Sequence, residues 1–589
     1  MRLTNVAHLR LPFGRLLGYD VTVGPPGRAL PVSFDQRRHV GAGDRPGSWM
    51  ALSVRLAEAV EPGHLAAAWL AVVARHGTLR SVFTRAGDGT PLLHEVDISP
   101  GGWVEHPVAS GQAVNDTLRA VLDAACTPYA SPSHRLCLLE TADSPTVVVA
   151  ADHAHVDMWS MLVVARDLLA ALVDARAGRT PVLAETPPFA AHTSAMRDRP
   201  LAPDGVRARW AEVLAACGGV MPRFPLPLGE IDAMHHERVE VRDVLDVDAS
   251  AALSVRAREE KVSALALVVS AMTAVTRERA DIPLRAVFPV HSRYEATWHD
   301  SVGWFITNAV IESADASPRA CAEAVKEAVH LGSWPLEDVL QPWGGMPEAP
   351  GMFAISWLDL RRLPVRVDAT GLEAHYVGAA VLTDGVMLWF ILDESGLHLR
   401  CRYPDTVEAR RHVGGWLDAL VARLRDQARA ADHSVLQLAG RVYRIDRAAR
   451  SDVPALIALL ASDETGQDRE VSDVERYEAA FDAISRDPSH FLAAVRDELD
   501  RVVGTIQLSI IPGLSRGGAS RMQVEGLGIA PAEGAGSLGS AMIEWAHDYG
   551  RARGATHAQL ITDTARTDAR RFYESLGYVA SHAGFTRPL

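Results

Sequence analysis

Lysine and clustered positive charge are scarce in this chain of 589 residues. Lys261 and Lys326 are the only lysines, so arginine carries nearly all of the positive charge. That bias, together with abundant alanine, is typical of a GC-rich bacterial genome. The formal net charge is −14, and acidic and basic residues are interspersed. Because nucleic-acid binding requires a basic stripe, usually interleaved with aromatic residues, we expect no nucleic-acid partner.

Cysteines and long apolar runs are also few. The five cysteines are scattered and show no metal-ligand spacing, which favours reduced thiols in a cytoplasm. No window reaches the roughly 18 apolar residues that span a bilayer, and the first residues lack the apolar core of a signal peptide. We therefore expect a cytoplasmic protein without a membrane anchor; its oligomeric state is not predictable from the sequence.

The length of the chain implies more than one domain, since 589 residues are too many for a single hydrophobic core. The content of 48% hydrophobic and 22% charged residues is that of an ordinary globular protein. An arginine- and alanine-rich helix gives way to a new strand near residues 423–440. We predict one domain over residues 1–430, with lobes of about 1–200 and 205–430, and a second domain over residues 441–589.

The most informative stretch is residues 151–160, which read ADHAHVDMWS. A β-branched run precedes it and an apolar helical pattern follows, so its histidine and aspartate lie on a strand-to-helix turn. Such a turn presents side chains to a cleft while the regular elements hold them still. A neutral imidazole accepts protons near neutral pH, which makes His153 a candidate general base. Asp157 would either orient that imidazole or pair with a distant arginine.

The residues of this turn leave two alternatives open. A lone histidine is more often a core residue satisfied by backbone groups. Asp152, His153, His155 and Asp157 are also possible metal ligands. Ligands packed into one short turn rarely complete a metal site without distant partners, so we expect no metal. The neighbouring motifs are needed to distinguish a catalytic histidine from a core histidine or a metal ligand.

Four further motifs accompany the turn: residues 30–38 (LPVSFDQRR), 74–83 (ARHGTLRSVF), 288–293 (FPVHSR) and 301–308 (SVGWFITN). In this order and spacing they resemble the condensation domains of nonribosomal peptide synthetases and their free-standing relatives, over about residues 30–429. The resemblance implies a chloramphenicol acetyltransferase-like α/β fold. In that fold two lobes meet in a V, and the histidine turn lies in the tunnel between them.

The resemblance also assigns roles to single residues. His153 matches the family's second motif histidine, which would deprotonate or position a nucleophile as it attacks an acyl thioester. Asp157 matches the motif aspartate, and Arg293 matches the arginine that pairs with it in a buried structural pair. The sequence departs from the family at Asp152, where a histidine is usual, and at Met158, where a glycine is usual. We expect Met158 to narrow the tunnel on the thioester side.

Residues 442–589 resemble GNAT-type N-acetyltransferases, a smaller α+β fold. The matching pieces are the strands at 501–508 and 524–529, the glycine-containing segment 534–542, and the stretch 567–578 (TDARRFYESLGY). In this family, backbone N–H groups at a helix N-terminus bind the pyrophosphate of coenzyme A. The resemblance therefore implies acetyl-CoA, or another acyl-CoA, as a possible ligand.

The candidate cofactor-binding residues of this second domain are Gly534, Gly536, Ser537 and Gly539. Gly534 stands where the family has a basic or amide residue, and Ser537 replaces the first glycine, so a charge-assisted contact is missing. Tyr573 matches the tyrosine that often protonates the departing thiolate of coenzyme A. It would otherwise only pack against the end of the sheet, so weak catalysis and a degenerate structural role both stay open.

The resemblance to condensation domains implies an acyltransferase that joins an acyl or aminoacyl thioester to an amine or alcohol. The product would be an amide or ester in natural-product biosynthesis. The chain shows no adenylation or carrier domain, so the thioester would arrive on the phosphopantetheine arm of a separate acyl or peptidyl carrier protein, or on coenzyme A. An acidic enzyme needs a local basic patch to meet acidic carriers, and Arg37, Arg38, Arg75 and Arg80 are candidates.

Two other functions remain open at this point. The C-terminal domain would carry the chemistry if the protein were an acetyl-CoA-dependent N-acetyltransferase, with the first domain only recognising the substrate. Alternatively, both sites are degenerate and the protein is a non-catalytic scaffold, an interpretation favoured by Met158 and by the altered glycine segment.

Overall fold

The computed structural model describes residues 2–141, 144–369, 371–431, 433–438, 440–461, 474–487, 489–533, 535–562, 566–581 and 587. The chain divides into two compact units. Unit 1 comprises residues 1–245 and 257–424, and unit 2 comprises residues 246–256 and 425–589. No helix in the described ranges is both long enough and apolar enough to cross a membrane.

The helices and strands are numbered along the chain. The strands are β1 (Arg2–Asn5), β2 (Arg15–Val23), β3 (Ala29–Leu30), β4 (Trp49–Arg55), β5 (Ser81–Arg85), β6 (Pro91–Glu95), β7 (Ile98–His106), β8 (His134–Glu140), β9 (Thr146–Asp152), β10 (His235–Leu245), β11 (Leu284–His291), β12 (Ile306–Ser313), β13 (Phe353–Asp359), β14 (His375–Gly378), β15 (Leu382–Thr383), β16 (Val386–Asp393), β17 (Gly396–Pro404), β18 (His433–Leu438), β19 (Arg441–Arg447), β20 (His490–Arg496), β21 (Val502–Ile511), β22 (Ser520–Ile529) and β23 (Ala555–Leu560). The helices are α1 (Phe34–Gly41), α2 (Pro62–Arg75), α3 (Val114–Ala125), α4 (Met158–Arg176), α5 (Phe189–Arg197), α6 (Asp204–Ala216), α7 (Val247–Glu259), α8 (Ala264–Ala280), α9 (Pro318–Leu331), α10 (Leu336–Val339), α11 (Val407–Ala431), α12 (Val453–Leu460), α13 (Val474–Arg486), α14 (Ser515–Gly518), α15 (Ala535–Ala552) and α16 (Thr567–Ser575).

The first sheet of unit 1 has seven strands in the order β1-β14-β4-β9-β8-β2-β7. Its central strand, β9, is buried along its whole length. Successive side chains of a strand point to opposite faces. Accordingly, Val147 and Val149 join the core that includes α2 and α4, whereas Val148 and Ala150 join the core that includes α3. Cover on both faces explains why β9 reads as a continuous apolar run.

The second sheet of unit 1 has the order β12-β11-β13-β16-β17-β10-β15. Strands β11 and β12 are antiparallel, with His291 opposite Ile306 at one end of the pair. The connection between them, residues 292–305, therefore emerges at a single end of the sheet. This connection carries both the candidate Arg293 and most of the SVGWFITN motif.

One strand crosses between the two sheets of unit 1. β14 follows β13 of the second sheet in sequence, yet it pairs with β1 and β4 of the first sheet. The first sheet thus includes a strand from sequence positions that we predicted to belong to the second lobe. The pairing of β14 with the first sheet links the two lobes, and no local sequence pattern predicts this pairing.

Unit 2 is built on a six-stranded sheet in the order β18-β19-β20-β21-β22-β23. Its pairs are antiparallel except for β22 and β23, which are parallel. Helix α15 contributes Leu538, Met542 and Ile543 to the core of this sheet. The two-lobed α/β arrangement followed by a smaller α+β unit confirms the predicted fold class.

Candidate functional site

The histidine turn leaves the first sheet at the end of β9, and α4 begins at Met158. Asp157 is the N-cap of α4, because its carboxylate accepts a hydrogen bond from the Ser160 N–H at 2.6 Å. A capping aspartate satisfies one of the free N–H groups at a helix start. The backbone N–H of His153 donates to the Ser48 carbonyl at 3.0 Å. Both ends of the turn are therefore fixed by backbone contacts.

Asp157 and Arg293 form a buried ion pair. The Arg293 Nη2 lies 3.2 Å from one carboxylate oxygen of Asp157 and 3.4 Å from the other, and their side chains are 0% and 1% exposed. The Phe305 N–H donates to the same carboxylate at 3.0 Å, while Arg293 Nη1 donates to the carbonyls of Trp298 and Ser301. Both carboxylate oxygens are engaged, so Asp157 braces the turn against the 292–305 connection and does not orient the His153 ring.

His153 itself is partly exposed. Its Nδ1 is buried without a hydrogen-bond partner in the described part of the chain, and its ring packs against Trp304 with centroids 4.3 Å apart. Burial is the main reason that the pKa of His153 is lowered, with the neighbouring His39 acting in the same direction. The backbone carbonyl of His153, Asp152 and Asp157 oppose that shift. The imidazole is therefore neutral at pH 7, the state required of a base.

Asp152, which departs from the family pattern, has its own partner. The Nε2 of His39 lies 3.1 and 3.2 Å from its two carboxylate oxygens, and the Ala154 N–H donates to one of them at 2.8 Å. Burial opposes ionisation, but the hydrogen bonds from His39, Ser48 and Ala154 lower the pKa of Asp152 below its usual value. Arg45 donates to Nδ1 of His39 at 3.0 Å. Because arginine only donates, Nε2 of His39 carries the proton that Asp152 accepts.

Met158 is half-buried and packs against the apolar core beside α2 and α4. Its carbonyl accepts a hydrogen bond from the Tyr376 hydroxyl at 2.8 Å. Tyr376 comes from β14, the strand that crosses between the sheets. The packing directs part of Met158 into the protein core, so the narrowing of the tunnel stays a prediction.

Helix α1 supplies site residues that the sequence analysis did not single out. The Gln36 side chain donates to the carbonyl of Ala154 at 2.8 Å, directly after His153. Ser33 and Gln36 also form a capping box at the start of α1. Their S-x-x-Q spacing is a recognisable helix-start signal and was available in the sequence. No comparable signal identifies His39 or Asp35 as a neighbour of the turn.

The arginines of the predicted basic patch lie beside carboxylates of this chain, so they are not free to bind an acidic carrier protein. Arg37 lies 2.6 Å from Glu337, Arg38 pairs with Glu348, and Arg75 lies 3.1 Å from Asp167. Arg80 has a looser contact, 3.9 Å, with Glu95. These four candidates therefore lie beside carboxylates, which cancels much of their local field.

Neither metal chemistry nor thiol chemistry finds support in the described residues. They contain no group of three or more His, Cys, Asp or Glu side chains that could hold a metal ion. Cys137 is buried in β8, as its apolar surroundings predict, and burial raises the pKa of its thiol to about 12. A protonated, buried thiol is a poor nucleophile.

In unit 2, the glycine segment begins helix α15. Gly534 lies outside the described residues, whereas Gly536, Ser537 and Gly539 lie in the first turns of α15. A Cβ added at Gly539 would approach the Ile529 side chain to 3.0 Å. The start of α15 is therefore packed closely against the far end of β22, where only a residue without a side chain fits comfortably.

The same end of β22 has an open edge. Its pairing with β23 ends at Val524 opposite Leu560, whereas β22 continues to Ile529. Residues 525–529 thus have no strand partner on that side in the described part of the chain. An open strand edge beside a helix N-terminus offers backbone donors to an extended ligand and to an anionic group.

Tyr573 lies on α16, beside Phe572. It is half-buried, and burial raises the pKa of its hydroxyl, so the phenol is protonated at pH 7. The adjacent Phe572 comes within 3.3 Å of a Cβ placed on Gly539, and Tyr573 contacts the rings of Phe572 and Tyr578. The structure thus brings Tyr573 close to the helix start that carries Ser537 and Gly539.

Two family profiles match separate parts of the chain. Residues 42–330 match the profile described as Condensation domain, and residues 454–578 match that of the acetyltransferase (GNAT) family. The chain is also similar to the isonitrile lipopeptide synthase of Mycobacterium tuberculosis, with 29% identity over 336 residues. That alignment covers 53% of this chain but only 13% of the relative, so the chain spans a small part of that protein.

Two further similarities extend the comparison. Over 118 residues, the chain is 32% identical to the aminoalkylphosphonate N-acetyltransferase of Salmonella typhimurium, covering 20% of this chain and 75% of that protein. Among solved structures, the PapA2 acyl transferase superposes with a TM-score of 0.64 at 18% identity, covering 73% of this chain and 100% of that one. At this identity the superposition establishes the fold alone.

Proposed function

This chain carries a condensation domain in residues 42–330 and belongs to the acetyltransferase (GNAT) family in residues 454–578, and on that premise we propose that unit 1 is an acyltransferase. It transfers an acyl or aminoacyl group from a thioester to a small amine or alcohol, in the biosynthesis of a natural product. The thioester is delivered on the phosphopantetheine arm of a separate carrier protein, or as an acyl-CoA.

The proposed reaction assigns one proton to His153. The lone pair of the amine or alcohol attacks the thioester carbon, and the neutral imidazole takes the proton that the nucleophile loses. The tetrahedral intermediate then expels the thiolate, which recovers a proton from the imidazolium. The products are an amide or ester and a free thiol, and the enzyme returns to its starting state. Positioning of both reactants beside the ring also lowers the entropic part of the barrier.

The observation that carries this proposal is the state of His153. Its ring is neutral and partly exposed, and it packs against Trp304. The backbone N–H of His153 is bonded to the Ser48 carbonyl, and the Asp157–Arg293 pair stabilises the turn. The buried histidines His155 and His192 also leave one ring nitrogen without a hydrogen-bond partner, so the partial exposure of His153 is what distinguishes it from them.

His153→Ala tests the proposal. We expect turnover to fall by about 10²–10⁴-fold, because the variant has no group to accept the proton. The assay is intact-mass detection of acyl transfer from carrier-bound thioesters to candidate amines and alcohols. His8→Ala, at an exposed position, is the matched control and should retain full activity. Unchanged turnover in His153→Ala, with an unchanged melting temperature, would contradict the role of His153 as the base.

A second candidate function concerns unit 2, which we propose to be an acetyl-CoA-dependent N-acetyltransferase. The close approach of α15 to the open edge of β22, with a protonated Tyr573 beside it, supports this function. When bound, acetyl-CoA would supply the acetyl group. Backbone N–H groups of residues 536–539 would hold its pyrophosphate, and Tyr573 would donate a proton to the departing sulfur.

A further inference from the structure

Asp35, in the first turn of α1, is a buried carboxylate without an ion-pair partner in the described part of the chain. Asp35 is 7% exposed, its Oδ1 accepts a long hydrogen bond, 3.4 Å, from the Asn308 amide, and Thr307 is a second hydrogen-bonding neighbour. Buried carboxylates are normally paired with a cation or with several short hydrogen bonds, because removal of the charge from water is costly. Asp35 has these two polar neighbours but no paired cation in the described part of the chain.

The nearest basic side chain on α1 does not supply that compensation. Arg38 exerts a favourable field on Asp35, but its guanidinium is paired with Glu348. Burial therefore prevails and raises the pKa of Asp35 to about 6, although Arg38, Thr307 and Asn308 oppose the shift. At pH 7 the carboxylate is still mostly charged and lacks a counter-ion.

The position of Asp35 places it close to the candidate site. Asp35 and His39 are four residues apart and share one face of α1. The His39 ring lies 6.2 Å from the His153 ring, centroid to centroid, and 5.2 Å from that of Trp304. Asn308, which contacts Asp35, lies on β12 of the second sheet, four residues after Trp304. The backbone positions of Asp35 and His39 are thus about one helical turn apart, roughly 6 Å along α1.

We infer that Asp35 binds an ammonium group of the nucleophilic substrate, and that this substrate is a diamine or a diamino acid. The inference rests on the acyltransferase function proposed above. An amine that attacks beside His153 must be neutral, and a carboxylate in direct contact would keep it protonated. Asp35 lies one helical turn along α1 from His39 and not beside His153, which avoids this conflict, since it holds the second amine as an ammonium while the first is free to react.

Two ligands of equal chain length and different charge test this inference by calorimetry. Wild-type protein should bind 1,4-diaminobutane at least 10-fold more tightly than butane-1,4-diol, because only the diamine supplies a counter-ion to Asp35. Asp35→Asn keeps the shape and the contact with Asn308 but removes the charge. It should weaken diamine binding by about 10- to 100-fold, the range of a charge-assisted hydrogen bond, and leave diol binding unchanged.

Asp88→Asn is the matched control, since it removes the same charge from an exposed turn. If it weakens diamine binding as much as Asp35→Asn does, the attraction belongs to the net charge of the protein and the inference is overturned. Equal diamine affinity of wild-type protein and Asp35→Asn would also overturn it. Asp35→Asn should melt no lower than wild type, because it removes an uncompensated buried charge.

Turnover separates this inference from the proposed function. In acyl transfer to 1,4-diaminobutane, Asp35→Asn should raise KM about 10-fold with little change in kcat, whereas His153→Ala lowers kcat. If wild type acylates the diamine and Asp35→Asn leaves KM unchanged, only the inference about Asp35 fails. If no acyl transfer occurs, the proposed function fails, and the calorimetric comparison still decides whether Asp35 binds a cation.

Discussion

At the scale of single residues, one side chain of the site is available to react, whereas several others are engaged in hydrogen bonds. Asp157, Arg293 and Asp152 each make several hydrogen bonds that leave little freedom. Of the titratable side chains on the turn, which are those of Asp152, His153, His155 and Asp157, only that of His153 is partly exposed. A base must be free to exchange its proton, whereas the residues that position it must not move. The distribution of hydrogen bonds around the turn satisfies both needs.

The dependence of turnover on pH follows from the environment of His153. The titratable groups that face it are His39, Asp152 and Asp157, and with burial they leave its pKa below the usual 6.5. Since the neutral ring is the active base, we expect kcat/KM for an alcohol acceptor, which does not titrate in this range, to be half-maximal at a pH below 6.5. It should decline only as the pH falls through the lowered pKa. A pH profile at saturating thioester measures this, and an acid limb centred above pH 6.5 contradicts it.

Arg293→Met should destabilise unit 1 strongly. The change keeps a side chain of similar length but leaves the Asp157 carboxylate buried without its counter-ion. Breaking a buried pair in this way costs about 3–5 kcal/mol. Urea unfolding followed by tryptophan fluorescence measures the shift. Arg15→Met, which breaks the exposed pair with Glu140, is the control and should change stability by less than about 1 kcal/mol. Similar midpoints for the two variants would show that the Asp157–Arg293 pair is not a brace.

At the scale of elements, both units place their candidate chemistry where a strand ends and a helix begins. In unit 1, β9 leads through the histidine turn into α4, whose start is capped by Asp157. In unit 2, β22 ends close to the start of α15. A helix start has free N–H groups and the positive end of the helix dipole. These groups stabilise the Asp157 carboxylate in unit 1 and would favour an anionic ligand in unit 2.

Tyr573→Phe tests whether Tyr573, on α16 of unit 2, donates a proton in acetyl transfer. The phenylalanine keeps the packing against Phe572, so the affinity for acetyl-CoA measured by calorimetry should not change. The rate of acetyl transfer to an amine should fall by about 10²-fold, because the departing thiolate loses its proton donor. Tyr578→Phe is the matched control, since its hydroxyl is already bonded to His547 at 2.9 Å. Equal loss of rate in both variants would indicate a structural effect and not proton donation.

At the scale of the whole molecule, the fold classes could be predicted from the sequence because they depend on patterns repeated along hundreds of residues, whereas the domain bounds stay a prediction. Alternating and helical periodicities are local consequences of burying one face of an element, so they can be recognised without coordinates. The crossing of β14 into the first sheet could not be predicted in this way. A strand of four residues carries too little pattern to specify its partners.

The same distinction applies to the candidate site. His153, Asp157 and Arg293 were identifiable because each lies in a motif of recognisable order and spacing. Asp35 and His39 were not singled out, since their importance depends on contacts with residues distant in sequence. His39 contacts Asp152 of the turn, and Asp35 contacts Asn308 on β12. Gly534, another candidate from sequence, lies outside the described residues.

The amino-acid sequence alone determined the kind of chemistry available, because residue type and local spacing fix which side chains can accept a proton and which turn presents them. Only the tertiary structure determined which of these groups are engaged in ion pairs or hydrogen bonds and which are free to react. Burial and counter-charges come from residues distant in sequence, and they set both the neutral state of His153 and the missing counter-ion of Asp35. Electrostatic energy depends on distance through space, which the order of residues along the chain does not specify.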